Sequence, residues 1–580
     1  MKPPVFRTLK KTRRIITCFI LFLFCYSDSF STINPSDGAI LNFKQIMFEY
    51  DEVPGATSYI ISIFPPDDRQ PFLMEVKNRS LACIVSNLEF GHSYKWHYEA
   101  YKKKKLIFKS RDYTFSIRSY YLIDTSLFRS KIEISKKVTL NNDLIFLDYP
   151  GIAINRQGTP VWFYPFVSPN GMSAPNFRNM RMTNDGNITF QDNTDCYEVN
   201  IKGELLWKAP NDGKVSGSAT EFYHHDFRKL DDGTYLTSSY KFVSEANYYN
   251  PSIISKVRYN TLVQYDASGK VVWYWNEKDH IAKSFIFQGY AADATDVEGT
   301  HLNGFDYSAE EDAIVMSFRN NSNIIKIDKK TGNVIYNLAE YGDQSGKQKD
   351  PWFARQHGPV ILPGHRLLVY NNNVKDTITG GSYPKVLIIK EPLNGNNASI
   401  AWEYECRSIR FPKGIIGKEG YAAPLPNGDI LVCMGGANYS FEVTPAKEVV
   451  WQSSFEKYDD KQKTWTGFNN YRCSYASSLY PKYFTLQRSK EKNKEQGKIK
   501  INNEGTENDS FLVELVLADG ITKVFADTAR LRGRSSGIIK LPVKTAMKQN
   551  KGKNNLIVLV TSLSNRFLSK IFNLEFGDKK

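Results

Sequence analysis

The sequence predicts an all-β fold: a six-bladed β-propeller with an N-terminal β-sandwich domain and a small C-terminal β-rich extension. Three observations carry that expectation. Tyr and Phe, with 34 and 36 copies, dominate the aromatic residues, and large rings suit the half-buried surface of a pleated sheet. A unit recurs from about Asp148: a strand, a turn glycine, then an aromatic four residues on. Its copies include Gly158 with Trp162, Gly203 with Trp207, Gly269 with Trp273 and Gly332 with Tyr336. Lys447 and Trp451 keep the spacing without the glycine, and the interval from Gly395 to Trp402 is stretched by three. An earlier turn also repeats, at Asn184-Asp185-Gly186, Asp231-Asp232-Gly233, Glu311-Asp312, Pro363-Gly364 and Asn427-Gly428, each leading into a β-rich run such as TYLTSSY or RLLVY. Six copies roughly 45–65 residues apart, each with about four strands, describe a ring of blades.

Residues 1–31 have the form of an export signal. Lys2, Arg7, Lys10, Lys11, Arg13 and Arg14 precede an apolar stretch over Ile15–Tyr26 that is short for a bilayer span, and Ser27, Ser29 and Ser31 offer cleavage near Ser29–Thr32. Cys25 would suit a lipid anchor, but Phe24 is bulky where that signal needs a small residue. The expectation is a periplasmic protein with no transmembrane segment once the signal is removed. Residues 32–118 form the predicted sandwich, because FEYDEVPGATSYIISIF and FGHSYKWHYEAY alternate apolar and polar positions about turns. A linker is expected over 119–147, the propeller over 148–483 and the extension over 484–580. The extension opens on a charged run around RSKEKNKEQGKIK, poor in apolar residues, before strand-like SFLVELVLADG and NNLIVLVTSL.

The formal charge of +15 is concentrated partly in the leader and in that run. The remainder lacks the repeated basic–aromatic clusters of a nucleic-acid surface, so no nucleic-acid partner is expected. Cys83, Cys196, Cys406, Cys433 and Cys473 follow the leader. Their odd number leaves at least one thiol free, their spacing suggests no metal, and one disulfide among the last three stays open.

Only eight histidines occur, yet three signatures fall in order: His224-His225-Asp226-Phe227, His301-Leu302-Asn303-Gly304 and Gln356-His357-Gly358-Pro359. The turns supply a ruler. His225 precedes Gly233 by eight residues, His357 precedes Gly364 by seven, and His301 precedes Glu311 by ten. Each therefore starts the first strand of its blade, the strand that lines a central channel. Adjacent strand residues face opposite ways, so one of His224 and His225 points elsewhere, and His225 is the channel candidate. Asn303 shares the face of His301 if the strand runs on, and Arg319 ends the following strand. Tyr223, Phe305 and Tyr471 are candidates to stack on an aromatic ligand, although blade packing explains such residues equally well. His92, His97, His280 and His365 have no such companions and read as structural or surface groups.

Three imidazoles suit Zn²⁺, but a guanidinium would sit beside the cation with no carboxylate placed to compensate. An arginine fork, imidazoles and an amide instead suit a tetrahedral oxyanion. Two other functional classes fit the same pattern: a propeller polysaccharide lyase with a metal-bound histidine cluster, and a non-catalytic propeller that binds glycans or proteins.

The segments YHHDFRKLDDGTYL, HLNGFDYSAEEDAIVMSFRNNSNIIKIDKKTGNVIY and QHGPVILPGHRLLVYNN together resemble the bacterial aryl-sulfate sulfotransferases, and YRCSYASSLYP resembles that family's closing segment. The resemblance spans about 145–485. It implies transfer of a sulfuryl group from an aryl sulfate to a phenol by a ping-pong mechanism through a sulfohistidine, without the nucleotide donor PAPS. No Gly-rich phosphate loop opening a helix is present to bind such a nucleotide. Carried over by motif, His357 is the nucleophile, and His225, His301, Asn303 and Arg319 hold the sulfuryl oxygens. A donor such as His225 would protonate the departing phenolate. The resemblance implies no cofactor and no metal. The expected partners are a small-molecule aryl sulfate donor and a phenolic acceptor, and a homodimer is compatible with it. Tyr421-Ala422-Ala423 in the sixth blade offers no assignable polar group, and Asn320-Asn321 stand where relatives often carry another basic residue.

Overall fold

The computed structural model describes residues 33–65, 74–78, 80–119, 128–136, 143–165, 177–192, 194–341, 352–373, 383–393, 397–407, 419–467, 469–488, 497–550, 555–565 and 568–575. The predicted leader, Gly395 and positions 489–496 of the charged run lie outside the described residues.

The chain is all-β as expected. Its strands come mainly as antiparallel meanders, and the longest described helix is Val543–Gln549. Four meanders run entirely in chain order. The first comprises Arg178–Met182, Ile188–Gln191, Cys196–Val199 and Leu205–Lys208. Phe227–Lys229, Tyr235–Ala246, Ile254–Tyr265 and Val271–Asn276 make the next. It is followed by Leu302–Ser308, Ala313–Phe318, Asn323–Asp328 and Val334–Asn337, then by His357–Leu362, Arg366–Asn371, Lys385–Lys390 and Ser399–Glu405. Before them, Leu144–Leu147, Ile152–Ile154 and Pro160–Phe163 form a sheet completed by Cys473–Ala476 from the far end of the chain. After them, Tyr421–Pro424, Ile430–Cys433, Tyr439–Val443 and Val449–Asp459 form the last, which Phe128–Ser135 joins from the near end. Residues 119–147 are therefore not simply a linker. Their two described strands belong to the last and first sheets, paired with partners hundreds of positions away that no local periodicity announces.

The two recurring turns have a backbone reason. Gly158, Gly203, Gly269 and Gly332 take φ between 75° and 82°, and Lys447 adopts 67° where the glycine is missing. The aromatic that follows each turn reaches the next sheet. Trp162 Nε1 donates to the Ile201 carbonyl at 2.7 Å, Trp273 to Lys329 at 2.9 Å and Trp402 to Pro445 at 2.9 Å. Trp207 instead stacks on Tyr235, ring centroids 3.7 Å apart. Trp451 of the last sheet donates to the Arg156 carbonyl of the first at 2.9 Å. The repeat thus encodes contacts between sheets, and those contacts run from the last sheet back to the first.

Ahead of these sheets, a six-stranded sheet containing Ser58–Phe64 and Ser93–Lys102 packs on the pair Ile46–Glu49 and Ala82–Val85, with Phe48 edge-on to Trp96 at 5.0 Å. His97 is buried there against Asp112 at 2.9 Å. The C-terminal segment forms two small sheets around Phe484, Phe511 and Val558. The five described cysteines are free thiols.

Candidate active site

The first strands of the meanders meet at a buried ionic hub. Asp226 accepts from Asn179 Nδ2 at 2.7 Å, Arg472 at 2.9 Å and the Phe305 amide at 3.1 Å. Asp148 accepts the backbone amides of Asn179, Tyr471 and Arg472 at 2.9–3.0 Å. The Arg472 guanidinium also lies 4.9 Å from the Tyr421 ring centre. Arg228 reaches Asp306, whose other oxygen accepts the Ile361 amide at 2.8 Å. All six sheets thereby contribute to one cluster. Burial would raise the Asp226 carboxyl, but Arg472, Arg228 and Arg181 outweigh it and hold it below its usual value.

The imidazoles lie against this hub. His357 opens its strand, whereas His225 and His301 stand just before theirs with φ of 59°, a left-handed conformation that non-glycine residues rarely adopt. That geometry overturns the strand argument about the His224-His225 pair. The two rings meet Nδ1 to Nδ1 at 2.7 Å, and His224 lies behind His225 instead of pointing away. His225 Nε2 faces His301 Nε2 at 3.2 Å, and His301 Nδ1 meets Glu298 Oε1 at 2.6 Å. The Tyr471 ring joins the group, 6.0 Å from His225 and 5.9 Å from His357 between ring centres.

His357 differs from the other imidazoles. It is 3 % exposed, and neither ring nitrogen has a hydrogen-bond partner among the described residues. Burial, then Arg472, His301 and Arg319, push its pKa well below the ordinary imidazole value. Burial first, and cationic or imidazole neighbours second, do the same to His224 and His225. His357 is consequently a neutral ring with an uncommitted lone pair in a cationic setting, the electronic state a nitrogen nucleophile requires.

Arg319 follows its strand, its amide donating to the His301 carbonyl at 3.0 Å; its guanidinium is close enough to His357 to shift it. Asn303 is fully buried, and its Nδ2 bridges to the Gln356 carbonyl at 2.7 Å, while Oδ1 has no partner among the described residues. A register irregularity between Leu302 and Gly304 interrupts the alternation that would have set it on the face of His301. Of the aromatic candidates, only Tyr471 reaches the imidazoles. Tyr223 bonds the Tyr265 hydroxyl, and Phe305 is fully buried in a core cluster. His280 stacks on Trp275, and His365 pairs with Glu311.

The same ruler that located His225 finds a residue the sequence reading passed over. Arg178 stands eight residues before the turn Gly186, as His225 stands eight before Gly233. Its guanidinium lies 5.8 Å from the Tyr471 ring centre and lowers the pKa of His225. Glu298 was also missed, although an acid three residues before a histidine was visible in EGTH. Among the described residues, no group of three His, Cys, Asp or Glu side chains stands in an arrangement that could hold a metal ion.

The site sets a buried imidazole, its pKa held well below the ordinary value, beside guanidinium groups on an all-β scaffold. Residues 128–408 match the family model Arylsulfotransferase (ASST), which supports a place in the arylsulfotransferase family. The matched segment contains His225, His301, Asn303, Arg319 and His357 but stops short of Tyr471 and Arg472. No curated protein matches the chain. Among solved structures, a protein of unknown function from Bacteroides caccae is 14 % identical, with a TM-score of 0.35 over 56 % of this chain and 96 % of that one. A functionally unknown protein from Desulfotomaculum acetoxidans is 10 % identical, with a TM-score of 0.30 over 61 % and 90 %. Kuenenia stuttgartiensis hydrazine synthase is 10 % identical, with a TM-score of 0.28 over 67 % and 92 %. Likenesses at this level carry no functional argument.

Proposed function

We propose that this chain is an exported, periplasmic aryl sulfotransferase that moves a sulfuryl group from an aryl sulfate to a phenol through a sulfated His357, without a nucleotide donor. In this reading the six meanders are blades of a six-bladed propeller around the ionic hub, and the N-terminal sheets form a β-sandwich. The observation that carries it is the buried His357 ring, neutral and without a hydrogen-bond partner among the described residues, beside Arg319.

Sulfuryl transfer, like phosphoryl transfer, demands little covalent help from the protein and much stabilisation of charge on the oxygens. Arg319 serves as that cradle; preorganised donors of this kind contribute about 3–4 kcal/mol each in comparable sites. The His357 nitrogen attacks sulfur, the S–O bond breaks, and its electron pair leaves on the aryl oxygen. The acceptor phenol then reverses the process: its oxygen attacks sulfur and the S–N electron pair returns to His357. Two in-line steps through one covalent state give ping-pong kinetics. The Tyr471 ring is placed to stack on the aryl group.

The test is mass spectrometry of the protein mixed with 4-nitrophenyl sulfate. An acid-labile gain of about 80 Da mapping to His357, and lost on adding phenol, is expected for the covalent state. Phenol sulfation with no adduct at this residue sinks the assignment.

The electrostatics also set a pH dependence. Protonation removes the attacking lone pair, so the rate falls as pH falls. Because the folded protein holds the His357 pKa down, that fall begins below the free imidazole value of about 6.5. A pH profile of kcat/KM for the donor whose acid limb lies above that value contradicts the neutral-nucleophile assignment.

A further inference from the structure

The proposed chemistry leaves the charge of Arg178 unused. This residue opens the first strand of its meander, and its guanidinium stands 5.8 Å from the centre of the Tyr471 ring. Several groups of the site meet at that ring. His225 and His357 lie 6.0 Å and 5.9 Å from it, and Tyr149 stacks on it at 6.4 Å. Arg472, Arg181 and Arg228 face Asp226, whereas Arg178 pairs with no carboxylate among the described residues. Its side chain is half-buried, and Nε is enclosed with no hydrogen-bond partner among the described residues. The carboxylates about the imidazoles are engaged elsewhere. Glu298 meets His301 at 2.6 Å and Arg258 at 3.1 Å, and Glu419 accepts the Tyr149 hydroxyl at 3.0 Å. A guanidinium that has lost part of its water without gaining an anion is an incomplete pair. An anion carried by the substrate completes it.

The place of that anion follows from what Arg178 touches. After burial, His224 and His301, it is the next group that depresses His225. It is absent from the groups that depress His357, where burial, Arg472, His301 and Arg319 act. Arg178 therefore stands beside the Tyr471 ring and away from the nitrogen that takes the sulfuryl group. Resting on the sulfotransferase reading, we propose that Arg178 is a specificity-determining residue that binds a carboxylate carried by the aryl ring, so that the preferred substrates are phenols with an acidic side chain and their sulfate esters. A ring stacked on Tyr471 with its oxygen at His357 carries its para substituent away from sulfur, toward this guanidinium. The planar fork meets both carboxylate oxygens at once, which an ammonium cannot do. A cationic side chain is repelled from the same place.

The assignment is tested with three acceptors of similar size: 4-hydroxyphenylacetate, 4-ethylphenol and tyramine. Their phenols share a pKa near ~10, so the variable is the charge on the tail, which is negative, absent and positive in turn. Sulfation of each from 4-nitrophenyl sulfate is measured in the full-length wild type, Arg178→Gln and Arg178→Lys. In a ping-pong cycle kcat/KM for the acceptor reports the second half-reaction alone. The wild type is expected to rank the acceptors anionic, neutral, cationic. In Arg178→Gln the ratio of 4-hydroxyphenylacetate to 4-ethylphenol falls about 10–100-fold, the scale of losing one charged hydrogen-bonding partner, and Arg178→Lys restores part of it. The ratio is internal to each preparation, so neither a lowered folded fraction nor a change at His225 common to all three acceptors moves it. A wild type indifferent to tail charge, or a ratio that survives Arg178→Gln, overturns the role of Arg178 while leaving the sulfotransferase reading intact. A wild type that releases no nitrophenol and sulfates none of the three overturns that reading and this inference together.

Discussion

His357→Ala loses sulfuryl transfer and phenol release together, by on the order of 10⁴–10⁶-fold, the scale seen when a covalent nucleophile is removed. In the proposed mechanism both half-reactions pass through the same N–S bond, so no donor or acceptor rescues the variant. The fold tolerates the change. Neither nitrogen of this ring holds a hydrogen bond to the described residues, so its removal orphans no partner, and thermal unfolding should stay near the wild-type transition. The measurement is steady-state nitrophenol release, paired with intact mass after incubation with the ester. A folded His357→Ala protein with wild-type turnover would refute the nucleophile, and persistence of the adduct on another residue would relocate it.

The largest structural effect is expected at Asp226. Its carboxylate is fully buried and holds Arg472, Asn179 and the Phe305 amide, with Arg181 and Arg228 close by. Asp226→Ala leaves these guanidinium groups with unbalanced charge away from water, a defect worth about 3–5 kcal/mol in buried ion pairs. Because Asp226 links strands from four of the six sheets directly, the loss should appear as a lower unfolding midpoint in guanidinium and faster proteolysis within residues 143–488. An unchanged midpoint would show that the hub contributes little to holding the sheets together. Activity falls as well, since residue 226 adjoins His225 and its removal releases the turn that holds that ring.

Much of this architecture was legible in the linear text because its signals are local and periodic. A turn needing positive φ selects glycine, and the aromatic four residues on must reach the neighbouring sheet; both requirements recur with each sheet and so print themselves along the chain. The same regularity placed His225, His301 and His357 at corresponding positions; His225 lies 3.2 Å from His301, and the Tyr471 ring stands between His225 and His357. What escaped was whatever depends on single backbone departures. Alternation predicted that His224 and His225 diverge, but the left-handed φ at His225 brings them into contact. Alternation also aligned Asn303 with His301, and a bulge undid it. Arg178 keeps the same spacing, but one arginine in a chain with 76 Lys and Arg carries no signal of its own.

By itself, the order of residues determined that the chain is all-β, that it repeats, and that three histidines and Arg319 belong to one neighbourhood. These properties follow from side-chain period and turn chemistry, which act over a few residues. Tertiary structure alone decided which imidazole is free to attack. Among the described residues His357 has no hydrogen-bond partner while His224, His225 and His301 are bound into a chain ending on Glu298, and that difference rests on distances between atoms far apart in sequence. It also decided how the last of these sheets and the far end of the chain meet the first sheet, through Trp451 on Arg156 and Cys473–Ala476 beside Leu144–Leu147. Those pairings give backbone partners to edge groups of Leu144–Leu147 and Val449–Asp459, a requirement that local residue order cannot express.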